Sequence, residues 1–137
     1  MAIVEPGSVP ANRLSSASVA WLTTVRADGQ PQSSYVWFHF DGTDLQVASQ
    51  PQAAKLRNIR ANPKVSLHLD GDGQGGDVVT IEGVAEILEG DPSPERIEAY
   101  LAKYNDAIRT QLQTTPDELR REYSTTIRIT PSRVRAW

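Results

Sequence analysis

The residues of this chain best suited to chemistry cluster between Ser49 and Pro63, in the stretch SQPQAAKLRNIRANP. A hydroxyl at Ser49 suits the cap of a helix whose first turn holds Pro51, because the oxygen accepts an orphaned N–H and proline has none to satisfy. Leu56 and Ile59 fall on one face at helical spacing, Lys55 and Asn58 on another. Pro63 biases Asn62 away from helical dihedrals and ends the helix there. A short helix with free N–H groups, a positive dipole end and an adjacent lysine is a seat for a phosphate. Between Asp44 and Asp70 no acidic residue occurs, whereas Lys55, Arg57, Arg60 and Lys64 do. The chain as a whole is acidic, with a net charge of −3. A basic island on an acidic protein fits a small anionic ligand better than a long polyanion, and a solvated helix face carries the same signature.

Two other groups carry aromatic chemistry. In Arg133-Val134-Arg135-Ala136-Trp137 an extended backbone puts Arg133, Arg135 and Trp137 on one face. Guanidinium and indole together pair with and stack on a planar anion; a frayed basic end with a core-packed tryptophan fits the spacing as well. Tyr35, Val36 and Trp37 lie on a strand close to the Ser49 helix. They read either as packing or as a wall beside a flat heterocycle whose phosphate arm reaches Ser49 and Lys55.

Other motifs fail on their own requirements. Gly71 to Gly76 satisfies the letters GxGxxG, but a strand pattern follows where a dinucleotide site needs a helix, and Asp72 would repel phosphate. Asp70, Asp72 and Asp77 are spaced like a calcium loop whose twelfth position, Ile81, lacks the required glutamate. His39 and His68 sit on different strands without metal-type partners, so no metal site is expected. Glu82 and Glu86 share one strand face, Ser33 and Ser34 lack a base, and no GxSxG elbow exists, so hydrolysis has little support. The absence of cysteine excludes disulfides, a thiol nucleophile and thiolate metal sites.

The elements that position these groups are mostly strands. At 137 residues, 39% hydrophobic and 23% charged, the chain has the composition of one soluble globular domain spanning 1–137. No signal-like or membrane-spanning run occurs, so a cytoplasmic location is expected. Residues 1–18 form a lead-in with a short helix at 11–18. Strands follow at Val19 to Val25, Gln32 to Phe40, Leu45 to Ser49, Lys64 to Asp70 and Asp77 to Leu88, the last bent at Gly83. Along Gln32 to Phe40, Val36, Phe38 and Phe40 point one way and Tyr35, Trp37 and His39 the other. Residues 93–124 are a helical insert, with Ser93 capping one helix and Thr115-Pro116-Asp117-Glu118 a second. A last strand and tail run from Thr125 to Trp137. The pattern predicts a mainly β fold with helical additions, a small antiparallel barrel.

Four segments carry a family resemblance: TTVRADGQPQSSYVWFHFDG (Thr23 to Gly42), SQPQAAKLRNIRANPKVSLHL (Ser49 to Leu69), the IEG of Ile81 to Gly83, and the closing PSRVRAW. In this order they resemble the pyridoxamine-phosphate-oxidase-like split barrels, and within them the flavin/deazaflavin oxidoreductases of actinobacterial type. The resemblance implies a six-stranded split barrel, an obligate homodimer and two cofactor sites at the subunit interface. It implies that Val36 and Trp37 lie along the tricyclic ring, that Ser49, Gln50, Lys55 and Asn58 bind phosphate, and that Trp137 reaches the site from the other subunit. Ala54 stands where FMN-using oxidases carry an arginine before the lysine, and a second arginine of theirs is replaced near Ser34. These departures favour the deazaflavin F420 over FMN. The implied function is hydride transfer from reduced F420 to a conjugated small molecule, the alternatives being an FMN-dependent oxidase and a non-catalytic flavin- or deazaflavin-binding protein. Tyr35 and His39 are candidate proton donors, solvent serving equally. Nucleic acid and membrane are not expected partners.

Overall fold

The computed structural model describes residues 3–88 and 94–137. Its strands are β1 (Val19–Val25), β2 (Pro31–Trp37), β3 (His39–Phe40), β4 (Leu45–Ser49), β5 (Lys64–His68), β6 (Val79–Ile87) and β7 (Thr125–Ala136). They form one sheet in the order β2-β1-β5-β6-β7-β4-β3, antiparallel at every pairing. The helices are α1 (Val9–Ser16), α2 (Ala54–Ala61), α3 (Pro94–Thr110) and α4 (Pro116–Glu122). Most boundaries follow the sequence pattern; helix α1 starts two residues before its expected position because Ser8 caps it, its Oγ accepting from Ala11 N–H at 3.3 Å. The expected cap at Ser93 lies outside the described residues.

Among the described residues the strands number seven rather than the expected six. The run Gln32 to Phe40 alternates as read, with Val36, Phe38 and Phe40 buried. It does not pair along one neighbour, however. Residues up to Trp37 pair with β1, whereas His39 and Phe40 pair with Gln46 and Leu45 of β4. Phe38 therefore leaves one edge of the sheet and enters the other, which curls the sheet into a split barrel. Leu22, Phe38, Val47, Leu67, Ile81 and Ile127 fill the interior.

At the crossing the backbone of Phe38 lies outside the strand ladder, and its polar groups need other partners. Tyr104 of α3 supplies them. Its hydroxyl accepts from Phe38 N–H at 2.9 Å and lies 2.5 Å from Ser18 O and 2.8 Å from Phe38 O, the two carbonyls open to its single proton. The expected bend at Gly83 is also present, as a bulge between Glu82 and Gly83 against β7. A Cβ there would meet Thr130 O at 2.7 Å and Ile129 Cγ2 at 3.0 Å, so only glycine allows this approach.

Helix α2 differs from its sequence reading at one end. Leu56 and Ile59 enter the core, and Asn62 ends the helix as expected, its N–H bonded to Asn58 O at 2.8 Å. Ser49 does not cap it. Pairing with Thr125 keeps Ser49 in β4, buried, with its hydroxyl donating to Gln50 O at 2.9 Å. Pro51 and Gln52 form a turn closed by Ala53 N–H to Gln50 O, and the helix begins at Ala54 with no side-chain cap. Strand pairing with β7 outcompetes a capping bond here.

Tyr104→Phe leaves the Phe38 N–H buried without an acceptor, and should cost about 1–3 kcal/mol of stability in denaturant unfolding. An unchanged unfolding midpoint and slope would mean that the ladder bonds alone close the barrel.

Candidate functional site

Strand alternation divides β4 between two environments. Leu45 and Val47 point into the barrel, and Gln46 and Ala48 onto its outer face. Their partners across β7 are Arg128 and Thr126, and on β2 Tyr35 and Trp37 take the face opposite Val36. Helices α3 and α4 cover this outer strip. Tyr104, Ile108 and Leu119 form a second small core there, with Trp37, Tyr100 and Leu101 packed against it. Trp37 stacks on Tyr104 with ring centroids 4.3 Å apart and planes 2° from parallel.

Between sheet and cover lies a cavity of about 300 Å³, walled by Val36, Trp37, Ala48 and Thr126 and roofed by Ile97, Tyr100, Leu119 and Tyr123, among others. Three cationic side chains border it: Lys55, Arg96 and Arg120. Arg96 pairs with Asp41 Oδ2 at 3.1 Å. Lys55 is half-buried, and burial alone pulls its ammonium below the usual lysine range. Among the described residues no carboxylate pairs with it. A desolvated cation of this kind attracts an anion strongly, because no resident charge competes. Burial pushes the Tyr100 phenol upward, so the roof presents a neutral hydroxyl at physiological pH.

Of the residues singled out in the sequence, Val36, Trp37 and Lys55 meet in this cavity, as does Tyr35. Ser49 ends the strand that carries Ala48. Gln50 lies outside, its Nε2 donating to Glu122 Oε1 of α4 at 3.1 Å. Asn58 is buried beneath α2, its Nδ2 donating to Thr24 Oγ1 and Gln32 Oε1, each at 2.9 Å. That amide fixes the helix on β1 and β2. Trp137 does not line the cavity: it is 64% exposed, and its indole N–H donates to Gly75 O at 3.1 Å. Tyr35 donates to Asp70 Oδ2 at 2.6 Å, and burial, together with Lys103, lowers the pKa of His39 and keeps its imidazole neutral. Gln46, Ala48, Thr126 and the aromatic roof went unnoticed in the sequence. A glutamine among Leu45, Val47 and Ala48 was the available signal.

The site is thus a covered, largely apolar cavity on the outer face of a split barrel, with a half-buried cation at its edge. The chain belongs to the pyridoxamine 5'-phosphate oxidase family, whose model matches residues 11–137. That family binds flavin and is oxidoreductase-like. Among solved structures the chain is similar to an F420 reductase, at 25% identity and TM-score 0.73, over 96% of this chain and 98% of that one. It is similar to a conserved hypothetical protein from Mycobacterium tuberculosis at 27% identity and TM-score 0.74, covering 98% and 86% respectively. The heme storage protein HutZ of Vibrio cholerae, at 21% identity and TM-score 0.66 over 99% and 95%, shares the fold alone. No helix among the described residues is long and apolar enough to cross a membrane.

Lys103 of α3 supports the Phe38 crossing, its ammonium 2.8 Å from Phe38 O and 4.0 Å from the Phe38 ring centroid. Burial lowers its pKa from 10.5 to about 8. The folded chain thus holds this charge less readily than the unfolded one. The resulting penalty is fully present below about pH 8 and is relieved as pH rises toward 10.5. Lys103→Met should therefore melt above the parent at pH 7, with the gap closing toward pH 10.5. A gap of equal size at both ends, followed by circular dichroism, would remove this titration from the account.

Proposed function

We propose that this protein is an F420-dependent reductase acting on a conjugated small-molecule acceptor. The observation that carries the reading is Lys55, a half-buried cation without a carboxylate partner among the described residues, at the edge of an apolar, aromatic cavity. The donor set fits a flat ring with an anionic arm. Val36 and Trp37 would flank the ring, and Lys55 with the uncapped first turn of α2 would hold the phosphate. Ser49 and Gln50 adjoin that turn, and Asn58 acts through its bonds to Thr24 and Gln32, which fix where the turn sits. Ala54, in place of an arginine before the lysine, supports F420 over FMN, and the similarity to an F420 reductase agrees.

When bound, reduced F420 supplies the hydride. The chain's part is to bind, orient and exclude water. Tyr100 and Leu119 form the apolar roof over the site. Tyr100 keeps its proton, the Tyr35 hydroxyl is engaged by Asp70, and neutral His39 lies across the ladder from Gln46. No side chain is assigned as the acid, and solvent supplies the proton to the product. In this reading the protein is a homodimer, and Trp137 with Arg133 and Arg135 reaches the partner's cofactor.

Fluorescence titration with F420 and, separately, FMN tests the cofactor. Saturable micromolar binding of F420 with hydride delivery to a quinone or other conjugated acceptor is expected. Exclusive FMN binding with oxygen consumption would indicate an oxidase, and binding without turnover a carrier. Lys55→Ala should weaken F420 binding by about 1–3 kcal/mol through loss of a charge-assisted contact. Unaltered affinity would take Lys55 out of the site.

Deletion of Trp137 separates two roles of the tail. Lower F420 affinity with the sedimentation behaviour of the parent is expected. A product that unfolds or changes assembly would show that the indole holds structure instead.

A further inference from the structure

Helix α3 sets two tyrosines one turn apart against the split in the barrel, Tyr104 and Tyr100, with ring centroids 5.2 Å apart. The Tyr104 hydroxyl is spent on the Phe38 crossing. Tyr100 reaches β4 instead. Strand β3 pairs with β4 only at Leu45 and Gln46, so beyond Gln46 that edge of β4 has no strand paired to it. The Ala48 N–H reaches the Tyr100 hydroxyl, which accepts from it. Tyr100 thereby serves a backbone donor at the cavity wall, as Tyr104 does at the crossing.

A hydroxyl that accepts still has its own proton to give. Among the described residues no acceptor takes the proton of Tyr100. The oxygen is also within reach of an incoming molecule. The sealed, unpartnered side-chain atoms among the described residues are Gln46 Oε1 and Arg128 Nε, whereas Tyr100 lines the cavity with its hydroxyl outside that group. Burial keeps the proton on the phenol, so Tyr100 donates a hydrogen bond and does not ionise.

The rest of the wall narrows what this donor meets. Lys55, Arg96 and Arg120 border the cavity, and none of its described lining residues is Asp or Glu. Such surroundings favour a group that gains negative charge over one that gains positive charge. In a conjugated carbonyl compound, hydride addition forms a C–H bond at the carbon end, breaks the carbon–carbon π bond and moves that electron pair to oxygen. A neutral donor already in place in an apolar cavity stabilises this oxyanion without reorganising.

We propose that Tyr100 binds the acceptor molecule by its conjugated carbonyl oxygen, so that the substrate is an α,β-unsaturated carbonyl compound. The proposal rests on reading this cavity as the site of reduction, and adds which substrate atom is recognised and by which residue. Tyr100 keeps its proton throughout, and solvent supplies the one that completes the product. Flat molecules of equal size that lack the oxygen, or carry a cation in its place, bind less well.

Fluorenone and fluorene test this contact, since they share a flat three-ring frame and differ in the conjugated carbonyl. Each is titrated into the protein and into Tyr100→Phe, with quenching of tryptophan fluorescence as the readout. The parent should bind fluorenone about tenfold more tightly than the variant does, and both should bind fluorene alike. The infrared carbonyl stretch of bound fluorenone should lie lower in the parent than in Tyr100→Phe, a signature that a merely structural tyrosine would not move. Thermal melts check that Tyr100→Phe is folded; Tyr100→Leu takes its place if it is not. Equal fluorenone affinity in parent and variant, an equal loss of fluorene, an identical carbonyl stretch or binding of neither compound would overturn the proposal. Neither probe needs a cofactor, so a failed F420 titration and a failed fluorenone titration are separate results.

Discussion

The fold depends on one backbone crossing. At Phe38 the chain leaves the edge formed with β1 and joins the edge formed with β4, so one continuous run serves both ends of the sheet. A crossing interrupts the ladder and strands a buried N–H, and burial without a partner is costly. The Tyr104 hydroxyl resolves this from α3, bonding the crossing to Ser18 just ahead of β1 as well. Helical insert and barrel are consequently coupled. The same tyrosine stacks on Trp37, so the residue that closes the barrel also builds the cavity's aromatic side.

That coupling explains why the insert sits where it does. Without α3 and α4, the strip of Trp37, Ala48 and Thr126 on the barrel's outer face would be an open apolar patch, which soluble proteins avoid unless it is used. Covering it produces a second core of Tyr104, Ile108 and Leu119 beside a cavity rather than a continuous packed layer. The space is bounded by rigid strands below and aromatic side chains above. Its shape is therefore set by the sheet, and its closure by the helices.

Much of the frame was legible in the sequence. β1 follows its β-branched run to both ends, α4 begins at the Thr115 cap, and Gly83 marks the bulge where β7 leaves no room for a Cβ. The errors share one cause. Ser49 has the chemistry of a cap, but local propensity loses to pairing with Thr125 in a ladder that periodicity cannot reveal. The split of the Gln32–Phe40 run is invisible for the same reason, since alternation is identical on either side of Phe38. Val36, Trp37 and Lys55, singled out by residue type and by the family resemblance, do line one cavity. Gln46 stood out only as a glutamine among apolar residues, because its surroundings depend on Asp41 and on a cavity lined by helices that come much later in the sequence.

Asn58 shows how one residue type supports two readings. On a helical wheel it appears beside Lys55 as a second polar group for a phosphate. In the folded chain its amide is spent on Thr24 and Gln32, under the helix. Those bonds serve the site indirectly. They anchor α2 to β1 and β2, whereas Leu56 and Ile59 fix its depth in the core. Lys55 is thereby held at the cavity edge by contacts on the other side of the helix. In general, an anion that meets a preorganised cation needs no loop to order first, so less of the interaction is lost to conformational entropy.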